Sequence, residues 1–154
     1  MENALIIVPS ITALLAVILS PLISLHIANR QARLHAIVLD RKDTIKEMRR
    51  TFSELVTHLM IVNGERALGR ISHKEATEKL EKAFRLETEL SLMLSADIED
   101  HACVLRNITE ARNRVFRDLD ETFKPSLWEK HYYESTQAMI RILRDEKKKV
   151  INLE

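Results

Sequence analysis

The chain is short of residues that crosslink, turn or build metal sites. One cysteine in 154 residues excludes an internal disulfide framework and any multi-cysteine zinc or iron–sulfur site. Two glycines and three prolines are too few for a turn-rich all-β domain or a disordered linker chain. The glycines, Gly64 and Gly69, cannot supply a GxxxxGKS or GxGxxG phosphate loop. There is no HExxH, and the Glu-x-x-His pair of di-iron bundles is absent. A formal net charge of +1 predicts neither a specific nucleic-acid binder nor an acidic tail.

Against these shortages stands one long apolar run. No charge falls between Glu2 and Arg30, and residues Asn3 to Asn29 are dominated by Leu, Ile, Val and Ala. A bilayer core of about 30 Å needs about 20 apolar helical residues, so the run predicts one transmembrane helix over 4–27. A cleaved signal peptide fits less well. No basic residue precedes the run, which exceeds the roughly 7–15 apolar residues of such a segment. Arg30, Arg33, Arg41, Lys42, Lys46, Arg49 and Arg50 follow it. Basic flanks stay inside, which predicts an outside N-terminus at the plasma (inner) membrane and a cytoplasmic remainder. The expected division is a transmembrane part, 1–29, and a cytoplasmic helical bundle, 30–154.

Within the run, Thr12, Ala16, Ser20, Ser24 and Ala28 recur every fourth position. Small side chains at this spacing let helices approach closely, making these residues a candidate transmembrane association face. Two other readings stand beside it: a polar-lined path, and ordinary small residues whose hydroxyls bond back to their own helix. Pro21 is expected to bend the helix.

From residue 30 onward the pattern is helical. Leu34, Val38, Arg41, Ile45, Met48, Phe52, Leu55, Leu59 and Val62 step by four and three, a heptad seam broken at Arg41. A parallel coiled coil would face Ile37 with Lys42, Thr44 with Arg49 and Thr51 with Val56, none of them an ion pair. Val56, Met60 and Ile61 widen the apolar face, which favours a bundle of about four antiparallel helices over a dimeric stalk. The helices are expected at about 30–62, 73–95, 98–123 and 126–150. Asn63-Gly64 is the expected stop of the first, with Gly64 as a left-handed cap. Ser72 and Glu75 form a capping box, and Ser126 and Glu129 a second. Asp97 is the expected N-cap of the third helix. That helix shows Ala102, Leu105, Ile108, Val115, Leu119 and Phe123, with Arg112 in the series. Short connections force antiparallel neighbours.

Chemistry is thinly represented. Asp97 with His101, and Glu54 with His58, share i, i+4 spacing, but no further metal ligands can be identified and no metal site is expected. Cys103 and His101 point about 100° apart on a helix and form no nucleophile–base pair by sequence. Trp128 and Tyr132 fit the bundle end better than a nucleotide-stacking surface. No catalytic or cofactor-binding residues are expected. Arg41, Lys42, Lys46, Arg49, Arg50, Lys147, Lys148 and Lys149 are candidate anion or anionic-lipid contacts, with a plain solvated surface as the alternative. Arg41 and Arg112 interrupt apolar seams, so each guanidinium must reach a carboxylate or water.

Leu90-Ser-Leu-Met-Leu-Ser95, then Glu99-Asp100-His101, and Gln137-Ala-Met-Ile-Arg-Ile-Leu143 before a charged end complete the plan. In these features the chain resembles a diffuse group of small bacterial single-pass proteins with a cytoplasmic helical domain. The resemblance implies no activity. The sequence therefore points to a non-enzymatic, membrane-anchored interaction or scaffold module, with the bilayer and a protein partner or homo-oligomer as partners. The alternative is an oligomeric, ligand-gated membrane effector responding to an anionic signal such as a nucleotide, for example in antiviral defence.

Overall fold

The apolar periodicity is realised as α-helix. A computed structural model describes the backbone of residues 2–114 and 125–153 and the side chains of residues 19–114 and 129–153. Among them are four helices and no strand: α1 (Glu2–Ala67), α2 (His73–Met93), α3 (Glu99–Asn113) and α4 (Pro125–Ile151). The all-α expectation holds. The capping residues expected at Ser126 and Glu129 fall at the start of α4, where the side chains of 125–128 lie outside the described residues.

The transmembrane helix expected over 4–27 is corrected. Among the described residues, no helix is long and apolar enough to cross a membrane. Over the described side chains, residues 19–29 are uncharged, and Arg30 and Arg33 follow within the next turn, so no apolar window of spanning length occurs there. The side chains of 4–18 lie outside the described residues. With the span go the inner-membrane location and the orientation built on it.

The chain forms two compact units, residues 1–40 with 153–154, and residues 41–152. In the first, α1 is exposed along its described length except at Val38. In the second, α1 carries Met48, Phe52, Leu55, Leu59 and Val62 into a core shared with α2, α3 and α4. The seam read from the sequence thus enters the core from Met48 onward. Of the residues expected to widen it, Val56 packs on the core, whereas Met60 and Ile61 are exposed. From α2 come Ala76, Leu80, Ala83, Leu86 and Leu90, spaced to lie on one helix face. Leu55, Leu59, Leu80, Leu90, Ile108 and Met139 are almost wholly buried. Burying such a side chain stabilises the fold by about 1.5–3 kcal/mol each.

Polar contacts fix the order of the four helices. Lys82 reaches Glu54 and Lys79 reaches Glu65, so α2 runs against α1. Ser95 meets His101 while Glu87 meets Arg112, so α3 runs against α2. Asp100 pairs with Arg141 and Asn107 with His131, so α4 runs against α3. Asn63 meets Tyr132 and Arg41 meets Glu146, which closes the ring between α4 and α1. The unit is an antiparallel four-helix bundle in which successive helices are neighbours.

The helix ends show where local signals were decisive. Ser72 caps α2 as expected: Glu75 N–H donates to Ser72 Oγ at 3.2 Å, and Ser72 N–H donates to Glu75 at 2.7 Å. The first helix does not stop at Asn63-Gly64. It continues to Ala67, and Gly69 takes the left-handed conformation, φ +64°. Gly69 N–H donates to Arg66 O and Arg70 N–H to Glu65 O, the paired bonds of a Schellman cap. Asp97 does not cap α3. The N-cap position is Ile98, with no side-chain hydrogen bond.

The face of α3 also differs from the expected series. Val104, Asn107, Ile108 and Ala111 are buried, while Ala102 and Leu105 lie at the border. Arg112 holds that border by pairing with Glu87. The remaining residues expected on this face, Val115, Leu119 and Phe123, lie outside the described residues.

Candidate functional site

Four of the eight basic residues singled out in the sequence, Arg41, Arg50, Lys148 and Lys149, are paired with carboxylates of the chain. Arg41 lies 3.9 Å from Glu146. Arg50 is shared between Glu47 and Glu54 on its own helix. Lys148 pairs with Asp145, and Lys149 with Glu146. Lys42 is exposed and also has an interaction within the chain. Lys46, Arg49 and Lys147 are exposed. The Arg50 guanidinium holds the Glu47 carboxyl below its usual range, chiefly through their hydrogen bond.

A shallow, open groove follows the α1–α2 seam and is lined by Arg50, Ser53, Glu54, Thr57, His58, Ile61 and Lys82. Its charges face one another. Lys82 Nζ lies 2.7 Å from Glu54 and Arg50 Nη1 3.2 Å from the same carboxylate. The hydrogen bond from Lys82 is the main cause that lowers the Glu54 pKa from its ordinary value. His58 Nε2 lies 2.7 Å from Lys79 O. A carbonyl only accepts, so the ring donates through Nε2. The Glu54–His58 pair is therefore occupied by structural contacts. Among the described residues there is no cluster of three or more metal-ligating side chains.

The more elaborate polar arrangement is inside the bundle. Asn63 of α1 is buried, and its Nδ2 donates to Tyr132 Oη at 2.8 Å and, at 3.4 Å, to Ala111 O. Burial pushes the Tyr132 phenol well above its usual pKa against the weaker opposing effect of Asn63, so the phenol stays neutral. One turn earlier on α3, Asn107 donates to Cys103 O at 3.0 Å and to its Sγ at 3.4 Å. That orientation turns Asn107 Oδ1 toward His131 Nδ1, 2.7 Å away. His131 must donate there, which places its neutral-form proton on Nδ1. Burial, then the nearby Arg114, lowers the His131 pKa.

Sequence reasoning missed this network. The Asn63-Gly64 pair signals a helix stop, and no spacing rule gives Asn107 or His131 a structural partner. A polar residue inside an apolar series was the available signal: Asn63 follows Val62 and Asn107 precedes Ile108. Arg112, whose place in an apolar series requires a partner, has one. Its Nη1 lies 2.6 Å from Glu87, and its guanidinium carbon sits 4.4 Å from the Phe84 ring centre. Thr109 donates to the other Glu87 oxygen at 2.7 Å.

Cys103 and His101 make no dyad. Cys103 Sγ accepts from Asn107, whereas His101 Nδ1 accepts the backbone N–H of Ser95 at 2.9 Å. The remaining surface feature is apolar. Leu19, Leu22, Ile23, Leu25, Ile27, Leu34, Ile37 and Leu39 of α1 are each at least 36% exposed. Ser20, Ser24 and Ala28 of the small-residue series are exposed among them, while Thr12 and Ala16 lie outside the described side chains. The chain matches no protein-family model, and neither a curated protein nor a solved structure matches it.

Proposed function

We propose that the chain is a non-enzymatic interaction module that self-assembles through the 19–39 segment of α1. The observation that carries this reading is the set of eight exposed large aliphatic side chains between Leu19 and Leu39. Large aliphatic side chains gathered on one helical segment are normally covered. A second copy presents the same uncovered segment, and matching surfaces favour symmetric homo-oligomers. No charge lies between Leu19 and Asn29 to oppose the approach of two such helices. Ser20, Ser24 and Ala28 leave room for close packing at i, i+4 spacing.

The bundle supports the same reading in a different way. His58, His101, His131 and Cys103 are engaged in contacts within the bundle. A second reading, an oligomer that binds an anionic signal, draws on the exposed Lys46, Arg49 and Lys147. It is less well supported, because Arg41, Arg50, Lys148 and Lys149 are matched by carboxylates of the same chain.

Light scattering of the full-length chain tests the proposal. The expected result is a defined oligomer at micromolar concentration. Ile23→Asp with Ile27→Asp is expected to give a monomer with the helical circular-dichroism signal of the bundle retained. A monomeric parent chain, or an oligomer unchanged by both substitutions, would sink the idea.

A further inference from the structure

The turn between α2 and α3 is held in an unusual way. Within it Leu94 is buried and Ile98 N–H donates to Ser95 O at 3.2 Å, but Ile98 is half exposed and the N-cap of α3 has no side-chain hydrogen bond. Among the described residues, the one side chain that bonds the turn backbone to α3 is His101, in the first turn of that helix, whose Nδ1 receives the Ser95 N–H at 2.9 Å. A backbone N–H has no lone pair to offer. Nδ1 must therefore be unprotonated, and the neutral ring carries its proton on Nε2. An imidazolium has a proton on both nitrogens and cannot accept this bond.

We propose that His101 is a pH-sensitive latch: protonation of its ring withdraws the acceptor from Ser95 and releases the α2–α3 turn. Leu94 at the start of the turn is buried and Met93 before it packs against the core, so release loosens that end of the bundle. The surrounding charges do not replace the lost bond. On its own helix His101 faces Asp100, which Arg141 of α4 engages through three contacts of 2.7–3.0 Å. From α4 it also faces Glu146 and Lys149, which pair with each other, and Glu146 lies near Arg41 of α1 as well. From the α2 side it meets the Ser95 backbone. Each nearby carboxylate thus already has a cation. The positive end of the α3 dipole further disfavours an imidazolium in its first turn. Burial acts in the same sense and is the largest cause lowering the His101 pKa.

The latch is tested by amide NMR and hydrogen exchange on the full chain between pH 8 and 5. The Ser95 amide signal is expected to move with the His101 titration. Its protection factor is expected to fall about tenfold once the ring is charged, the scale of one lost hydrogen bond. His101→Gln, whose amide oxygen accepts without titrating, is expected to remove the pH dependence. A Ser95 amide indifferent to the His101 midpoint, or an unchanged pH response in His101→Gln, would overturn the proposal. If that variant does not fold, the ring nitrogen shifts of the parent chain decide. An Nε2–H tautomer at pH 8 supports the latch, and an Nδ1–H tautomer refutes it.

Discussion

The two ends of the bundle solve the same problem with different chemistry. At one end, where α1 and α3 finish and α4 begins, Asn63, Ala111 and Tyr132 meet in a buried, uncharged network, with Asn107 and His131 beside it. At the other, Asp100–Arg141, Arg41–Glu146 and Lys149–Glu146 are solvent-facing ion pairs around His101. Buried polar groups are costly to leave unpaired, whereas exposed charges are screened by water and salt. The first end should therefore be sensitive to deletion of a partner, and the second to solution conditions.

The largest effect is expected from Tyr132→Phe. It removes the nearer acceptor of Asn63 Nδ2 and leaves Ala111 O at 3.4 Å. Stability in urea should fall by about 1–3 kcal/mol. In an Asn63→Ala background the same substitution should cost less, because no buried amide is left without a partner. Equal costs in the two backgrounds would mean that the pair is not coupled.

An intermediate effect is expected from pH. The folded state lowers the pKa of both His101 and His131. The unfolded chain then takes up more protons as pH falls below the ordinary histidine value of about 6.5. The stability these groups contribute is complete above that value and is lost as pH falls through their lower folded values. The two rings differ in what protonation breaks. His131 already donates through Nδ1 and keeps Asn107 when charged, whereas His101 loses Ser95. Urea midpoints from pH 8 to 5 should decline in the parent chain and decline less in His131→Gln.

The smallest effect is expected from Asp100→Asn. Arg141 lowers the Asp100 pKa, mainly through their hydrogen bond, yet both side chains are partly exposed. Any loss of thermal stability should be slight in dilute buffer and vanish in about 1 M salt, where the screening length is near 3 Å. A large, salt-independent loss would remove the contrast between the two ends.

Much of the bundle was legible in the sequence because its signals are local. The four-and-three spacing from Met48 to Val62 and the Ser72–Glu75 capping box involve residues within a few turns of one another. Asn-Gly is a strong turn signal, so Asn63-Gly64 signals a stop that the helix does not make. Tertiary partners hold Asn63 inside the helix, and the left-handed position falls at Gly69. The α3 face was misjudged for a related reason: Leu105 and Arg112 sit at the edge of the core, and the burial of Val104 and Ala111 depends on helices distant in sequence. Asn63–Tyr132 and Asn107–His131 join residues that no spacing rule relates. The apolar run at the N-terminus shows the converse. There the length of an uncharged run points to a membrane span, whereas among the described residues no helix is long and apolar enough to cross one.

The closure between α1 and α4 carries a consequence for synthesis. The Asn63–Tyr132 contact spans 69 positions of sequence. At about 5–20 residues per second, Tyr132 is made roughly 3–14 seconds after Asn63. Throughout that interval the growing chain carries the Met48–Val62 seam without the helix that completes its cover. Contacts of this range also raise contact order, which slows folding relative to a hairpin of adjacent helices. A nascent chain of this design therefore has a defined window in which a chaperone, or the seam of a neighbouring nascent chain, competes with its own last helix.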